Sequence, residues 1–357
     1  MNSTKTFVCA LSGLLGGVLS LLVLAAQDPQ TSSIELRMVV KQTGAGTLRG
    51  GAALGGGVYA TWGDSITFWT GPELQKLRGT SGSFAEGGCA ADLQGDARKE
   101  LFVQSGPGLG ELLWFETSQG KLLGRIDDEI DMSDCVEATL FGRKGLLMLQ
   151  RGMQVRFYER QGGAWKMREI YSIYTPSRQT GLALADVDGD GRIDILAGNY
   201  WVQSPERFEL PWHVFAIDTS FELPLSASMN LLWLPPDGRV AVQREMPEAR
   251  ANVFRRPANP KDLWPGTRLP LPAVVRKLKG LLATDLDGDG RPEIVTGEDA
   301  RADSRIFVLS GSGGQWTLRT QQIAPPVIAL LPGSKGDVVL LTHDGIQRWS
   351  AKPEAGR

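Results

Sequence analysis

Histidine is nearly absent from this 357-residue chain, which has two, His213 and His343. That removes most acid–base chemistry near neutral pH. No nucleophile elbow, zinc motif, phosphate-binding glycine loop or haem motif occurs either. A basic excess is missing: 38 Lys plus Arg face 40 Asp plus Glu, so no nucleic-acid partner is expected. Cysteine is scarce, with three residues, and Cys9 falls in the one long apolar run, Thr6 to Ala26. Outside that run nothing is apolar enough to cross a membrane.

What is present begins with that run. Lys5 precedes it and Asp28 is the first acid after it. A positive start, an apolar stretch and small residues at its end describe an export signal over residues 1–26. The stretch is also long enough to stay as a membrane anchor. The expected location is therefore exported: periplasmic, secreted or at the cell surface, with membrane contact only through an uncleaved N-terminal segment. Cys89 and Cys135 occupy equivalent places in the repeat described below. They could pair in an oxidising compartment or be two small buried strand residues.

Glycine is abundant, with 44 residues, and two glycine-containing stretches dominate the sequence: Asp186–Asp194, DVDGDGRID, and Asp285–Glu293, DLDGDGRPE. Each sets carboxylates at alternate positions, then a glycine, then a further acid. Like charges so close together are costly unless a cation neutralises them. An oxygen-only set on a short loop suits a hard ion such as calcium. The EF-hand begins the same way but needs a Glu at position twelve and flanking helices. Here position twelve is Ala197 or Thr296, and the flanking runs, rich in Ile, Leu and Val, read as strands. A solvated acidic turn without an ion is the plainer alternative.

A repeat surrounds these loops. Turns between first and second strands centre near Gly56, Gly95, Gly142, Asp190, Asp237, Asp289 and Lys335, roughly forty to fifty residues apart. Third strands read ITFW, LLWF, VRFY, HVFAI, NVF, RIFVL and IQRW. Seven units of four strands predict an all-β, seven-bladed β-propeller of four-stranded antiparallel blades. The expected boundaries are residues 27–47 for a lead-in strand and linker, 48–352 for the propeller and 353–357 for a tail. A third acidic loop, DLQGDARKE, keeps Asp92, Asp96 and Glu100 but carries Gln94 and Ala97 elsewhere. A weak site and a relic are both open there.

The segments LALADVDGDGRIDILAGN and LLATDLDGDGRPEIVTGE resemble the FG-GAP or VCBS repeat of integrin-α-like propellers and of many exported bacterial proteins. The resemblance is strong in the fourth and sixth units and partial in the second. It implies calcium held by Asp186, Asp188, Asp190, the Arg192 carbonyl and Asp194, and by Asp285, Asp287, Asp289, the Arg291 carbonyl and Glu293. Glu293 stands where the family usually has Asp, and the FG-GAP tripeptides themselves are absent. These ions are expected to act as struts. The expected role is a non-catalytic binding or scaffold module for protein or glycan. A polysaccharide lyase or sugar dehydratase-like enzyme on the same propeller is the alternative.

Ligand contacts are expected on the face opposite the acidic loops. The stretch Gly198–His213 reads as a long second-to-third loop carrying Tyr200, Trp201, Arg207 and Trp212. Arg244, Arg250, Arg301 and Arg305 stand on neighbouring units. Aromatics with arginines suit a binding rim. The tryptophans could equally pack beneath their own loop.

Overall fold

The computed structural model describes residues 34–44, 46–219, 228–235, 238–245, 250–300, 303–312, 314–334 and 336–351. The segment expected to be a signal or anchor lies outside these residues, as do the tail, Arg301, Asp237 and Lys335. No helix among the described residues is long and apolar enough to cross a membrane.

Seven sheets, each an antiparallel meander at its core, make seven blades of a propeller. The inner strands run Leu48–Gly55, Phe84–Ala91, Met132–Leu140, Leu182–Ala185, Ser228–Leu234, Leu278–Thr284 and Ala329–Pro332. The first-to-second turns near Gly56, Gly95, Gly142, Asp190 and Asp289 fall where the sequence placed them. The chain leading into the fourth blade adds a short fifth strand, Arg178–Thr180, parallel to the inner strand of the fifth.

The burial of each strand follows its rank in the blade. Second strands lie between two neighbouring blades, so both their faces are buried. Hence Asp337–Thr342 and Glu293–Glu298 are buried at every position. Fourth strands lie at the perimeter and read as polar alternation, as in Gln315–Ile323. Because side chains alternate across a strand, one second strand feeds two cores. Leu146 and Met148 pack towards the second blade, and Leu147 and Leu149 towards the fourth. Seven hydrophobic clusters result, one at each junction between neighbouring blades.

Polar clasps cross some of the same junctions. The Gln104 side-chain carbonyl accepts the Met132 amide at 2.6 Å, and the Gln243 side-chain carbonyl accepts the Thr296 hydroxyl at 2.5 Å. Junctions are tight enough to require glycine: a Cβ at Gly88 would lie 2.6 Å from the Trp62 ring.

The lead-in strand turns out to belong to the ring. Leu36–Thr43 pairs antiparallel with Gly345–Ala351 and is the outer strand of the seventh blade. Cys89 and Cys135 do pair. Lying on the inner strands of the second and third blades, they form a disulfide with a Cα–Cα separation of 5.4 Å. Replacing both with serine is expected to cost about 2–4 kcal/mol, as for a cross-link closing a long loop. The check is a melting temperature several degrees lower under oxidising conditions and unchanged under reducing ones.

Candidate metal centres and the opposite face

In an antiparallel meander, first-to-second and third-to-fourth turns share one face of the ring. Second-to-third turns and blade connections share the other. The three acidic loops, in the second, fourth and sixth blades, are therefore on one face.

All three loops fold alike. In the fourth blade the Asp186 carboxylate accepts amides from Gly189 at 2.7 Å, Asp190 at 3.1 Å and Gly191 at 2.9 Å. Asp285 accepts those of Gly288 at 2.7 Å and Gly290 at 3.1 Å. Asp92 accepts those of Gly95 at 2.6 Å, Asp96 at 3.2 Å and Ala97 at 3.0 Å. Gly191 and Gly290, at φ near +84° and +83°, supply the left-handed turn; Ala97, at +66°, adopts it without glycine. The last acid of each loop reaches back across the hairpin. Asp194 accepts the Val187 amide at 3.0 Å, Glu293 that of Leu286 at 2.8 Å, and Glu100 that of Leu93 at 2.9 Å.

This folding gathers carboxylate oxygens. One from each of Asp186, Asp188 and Asp194 lie within 4.8 Å of one another, as do those of Asp285, Asp287 and Asp289, and of Asp92, Asp96 and Glu100. Asp190 stands apart, paired with the Arg192 side chain. Glu293 is engaged by Leu286 and by the Ser310 hydroxyl, at 3.2 Å.

Burial pushes the Asp194 carboxyl up to about 6, against backbone amides that favour its ionised form, with Asp188 adding repulsion. Burial likewise pushes Glu293 up to about 7, with repulsion from Asp287 and Asp289. Glu100 is raised for the same first reason.

The second-blade loop differs in what balances it. The Gln94 side-chain amide donates to Glu100 at 2.9 Å. Lys144 lies 4.0 Å from Asp92 and 3.2 Å from Glu137, whose carboxylate accepts the Asp92 amide. The protein thus supplies a cation and a neutral donor of its own there.

Two expectations about the ligand face need correction. Tyr200–Gln203 is not part of a loop but the third strand of the fourth blade, and HVFA, His213–Ala216, is the fourth. The excursion between them is therefore third-to-fourth and sits beside the acidic loops. Gln203 donates to Asp188, and the Ser204 amide donates to Asp194 at 2.7 Å. Arg207 rides on this excursion, on the acidic face. The tryptophans are interior. Trp201 is fully buried and stacks on Phe215. Trp212 is 4% exposed and packs with Phe208 and Phe141.

The opposite face keeps Tyr200, Arg244, Arg250 and Arg305. Arg305 is committed to structure: it binds buried Glu298 at 2.6 and 2.8 Å and the Val274 carbonyl at 2.7 Å. Tyr200 and Arg244 are half-buried, whereas Arg250 is exposed. Tyr174, 86% exposed, projects from a blade connection on this side. His343, in a second-to-third turn, pairs with Asp299 at 2.9 Å, and Lys277 approaches Asp299 at 3.1 Å.

No family profile matches the chain, and no curated protein matches it.

The raised carboxyls set a pH dependence in the absence of divalent ions. A carboxyl whose folded pKa lies above its unfolded value binds more protons in the folded state. Stability is then greatest below the unfolded values, near 4, and falls as pH rises to about 6 for Asp194 and about 7 for Glu293. In a chelator, the melting temperature is expected to be higher at pH 5 than at pH 8. In the Asp194→Asn, Glu293→Gln double variant that difference shrinks.

Proposed function

We propose that the chain is an exported, calcium-stabilised propeller of the FG-GAP/VCBS type, acting as a non-catalytic binding or scaffold module for protein or glycan. The observation that carries this reading is the shared fold of the three acidic loops. Each draws carboxylates together at a hairpin tip, at a cost that a bound cation would remove. The donors are all oxygen, the set that suits calcium. Asp186, Asp188 and Asp194 would hold one ion, and Asp285, Asp287, Asp289 and Glu293 a second, with the Arg192 and Arg291 carbonyls available. When bound, the ion supplies charge neutralisation and a cross-link between strand ends. Asp92, Asp96 and Glu100 form the weakest candidate, because Lys144 and Gln94 already balance that loop.

The residues around the loops brace rather than react. Gln203 and the Ser204 amide tie Asp188 and Asp194 to the neighbouring excursion. Ligand binding is assigned to the opposite face, where Tyr174 and Arg250 are exposed. A carbohydrate-active enzyme is the second reading, favoured by the Glu86 and Asp134 carboxyls that line a cavity in the central channel.

Two experiments test this. At a Kd of about 10⁻⁴ M, 1 mM calcium would stabilise the fold by about 1.4 kcal/mol per site. A rise of several degrees in melting temperature with millimolar calcium is therefore expected, abolished in the Asp188→Asn, Asp287→Asn double variant. Chelated protein that melts identically with and without added calcium overturns the calcium assignment. For the ligand, the purified exported form is screened against a glycan array and cell-envelope extracts, with and without calcium. Reproducible binding without turnover of the bound ligand is the expected outcome, and turnover would favour the enzyme.

A further inference from the structure

The central channel holds a cavity of about 210 Å³ that the acidic loops do not touch. Its lining residues fall early in the inner strands or in the links leading into them, so it sits at the end of the channel remote from those loops. Glu86, in the second blade, and Lys279, in the sixth, form an ion pair across it. In a ring of seven these blades are three steps apart, so the pair divides the cavity. Gly51 and Ile328–Leu331, of the first and seventh blades, lie on one side. Asp134, Thr180, Gly181, Ser228 and Asn230 lie on the other.

That second side carries an anion with no cation to match it. Lys279 is engaged by Glu86, and Arg178 by Asp131 at 3.3 Å and the Met132 carbonyl at 2.8 Å. Asp134 has backbone amides alone: Leu182 at 2.9 Å and Cys135 at 2.8 Å, with Gly181 as a third. No cationic side chain among the described residues pairs with it. Burial pushes its carboxyl up to about 6 in spite of those amides. A carboxylate so placed is costly to ionise unless a counter-ion joins it. It offers about four acceptor positions, and three amides leave one open.

The groups around Asp134 are neutral oxygens. Neither the Asn230 carboxamide nor the Ser228 hydroxyl makes a hydrogen bond among the described residues. The Thr180 hydroxyl donates to the Met229 carbonyl at 2.8 Å and keeps its lone pairs for an incoming donor. Gly181 links the two sides of this corner. Its amide goes to Asp134, and a Cβ built on it would lie 2.9 Å from Asn230 Oδ1.

One carboxylate among neutral oxygens balances a single positive charge, whereas hard divalent ions are held by several carboxylates. At roughly 30 Å³ per water the cavity equals about seven waters, far more than a bare monovalent ion fills. An alkylammonium supplies the charge, three N–H donors and an organic body to occupy the remaining space.

We propose that the part of the channel bounded by Asp134, Asn230, Ser228 and the Glu86–Lys279 pair binds a small primary amine, its ammonium group set against the Asp134 carboxylate. The inference goes beyond the binding-module reading and stands whether or not the exposed rim takes protein or glycan.

NMR titration of the purified protein at pH 8, with calcium present, tests it using ethylamine and propylamine. Propanol, propionate, tetramethylammonium and potassium chloride are the comparators. At least one alkylamine is expected to bind, tenfold or more tighter than every comparator. Its affinity should fall about tenfold between pH 8 and pH 5, because Asp134 takes up a proton near pH 6 while the amine stays charged. Burial raises the Glu86 carboxyl, but Lys279, with Arg178 and Lys277, more than offsets this, so Glu86 stays ionised over that range. Asp134→Asn is expected to weaken amine binding at least tenfold. If that variant does not fold, Asn230→Ala, which removes a wall group free of hydrogen bonds, must weaken binding likewise. Absence of alkylamine binding, equal binding of propanol or tetramethylammonium, or indifference to these substitutions overturns the proposal. So does a preference for potassium, which would make the site one for an inorganic ion.

Discussion

The pairing of Leu36–Thr43 with Gly345–Ala351 is what turns a row of sheets into a ring. Without it the seventh blade has three strands and an open edge, and an open edge invites pairing with other chains. Bringing together segments some 300 residues apart costs about 5 kcal/mol in the (3/2)RT ln n estimate. Ile34 and Leu36 join the core between the sixth and seventh blades, and Val40 joins that between the seventh and first. At about 1.5–3 kcal/mol for each buried aliphatic side chain, these three residues are enough to offset closure. The seam thus serves two cores at once.

Closure also explains how the acidic loops can carry so much charge. Their backbone is fixed from both sides, by strands locked between neighbouring blades, and each first Asp is held by amides of its own loop. A loop this constrained keeps its shape even where the balancing charge changes. In the second blade that balance comes from Lys144 of the next blade and the Gln94 amide. One backbone therefore accommodates different charge balances, and in the second blade the protein supplies its own.

The sequence announced the blade count because turns are written in local chemistry: glycine, proline and aspartate at regular intervals need no partner to be recognised. The acidic loops were legible for the same reason. The fourth blade was misread because its third strand, Tyr200–Gln203, is four residues long, while His213–Ala216 has the aromatic–aliphatic look of a third strand. Trp201 and Trp212 then seemed to sit on a rim when they fill the cores on either side of that blade. The clasps of Gln104 and Gln243, and the Glu86–Lys279 ion pair across the ring, left no local trace. They join residues of different blades, and nothing in the spacing of a lone glutamine or lysine reveals its partner.

The geometry of the seam has a mechanical corollary. Leu36 and Ala351 are opposite one another at the same end of an antiparallel pair. Tension drawn between them would peel the hydrogen bonds one after another rather than load them all in shear. The ring would open by unzipping at the seventh blade. The second and third blades, stapled through Cys89 and Cys135 at their innermost strands, would be the last neighbours to part.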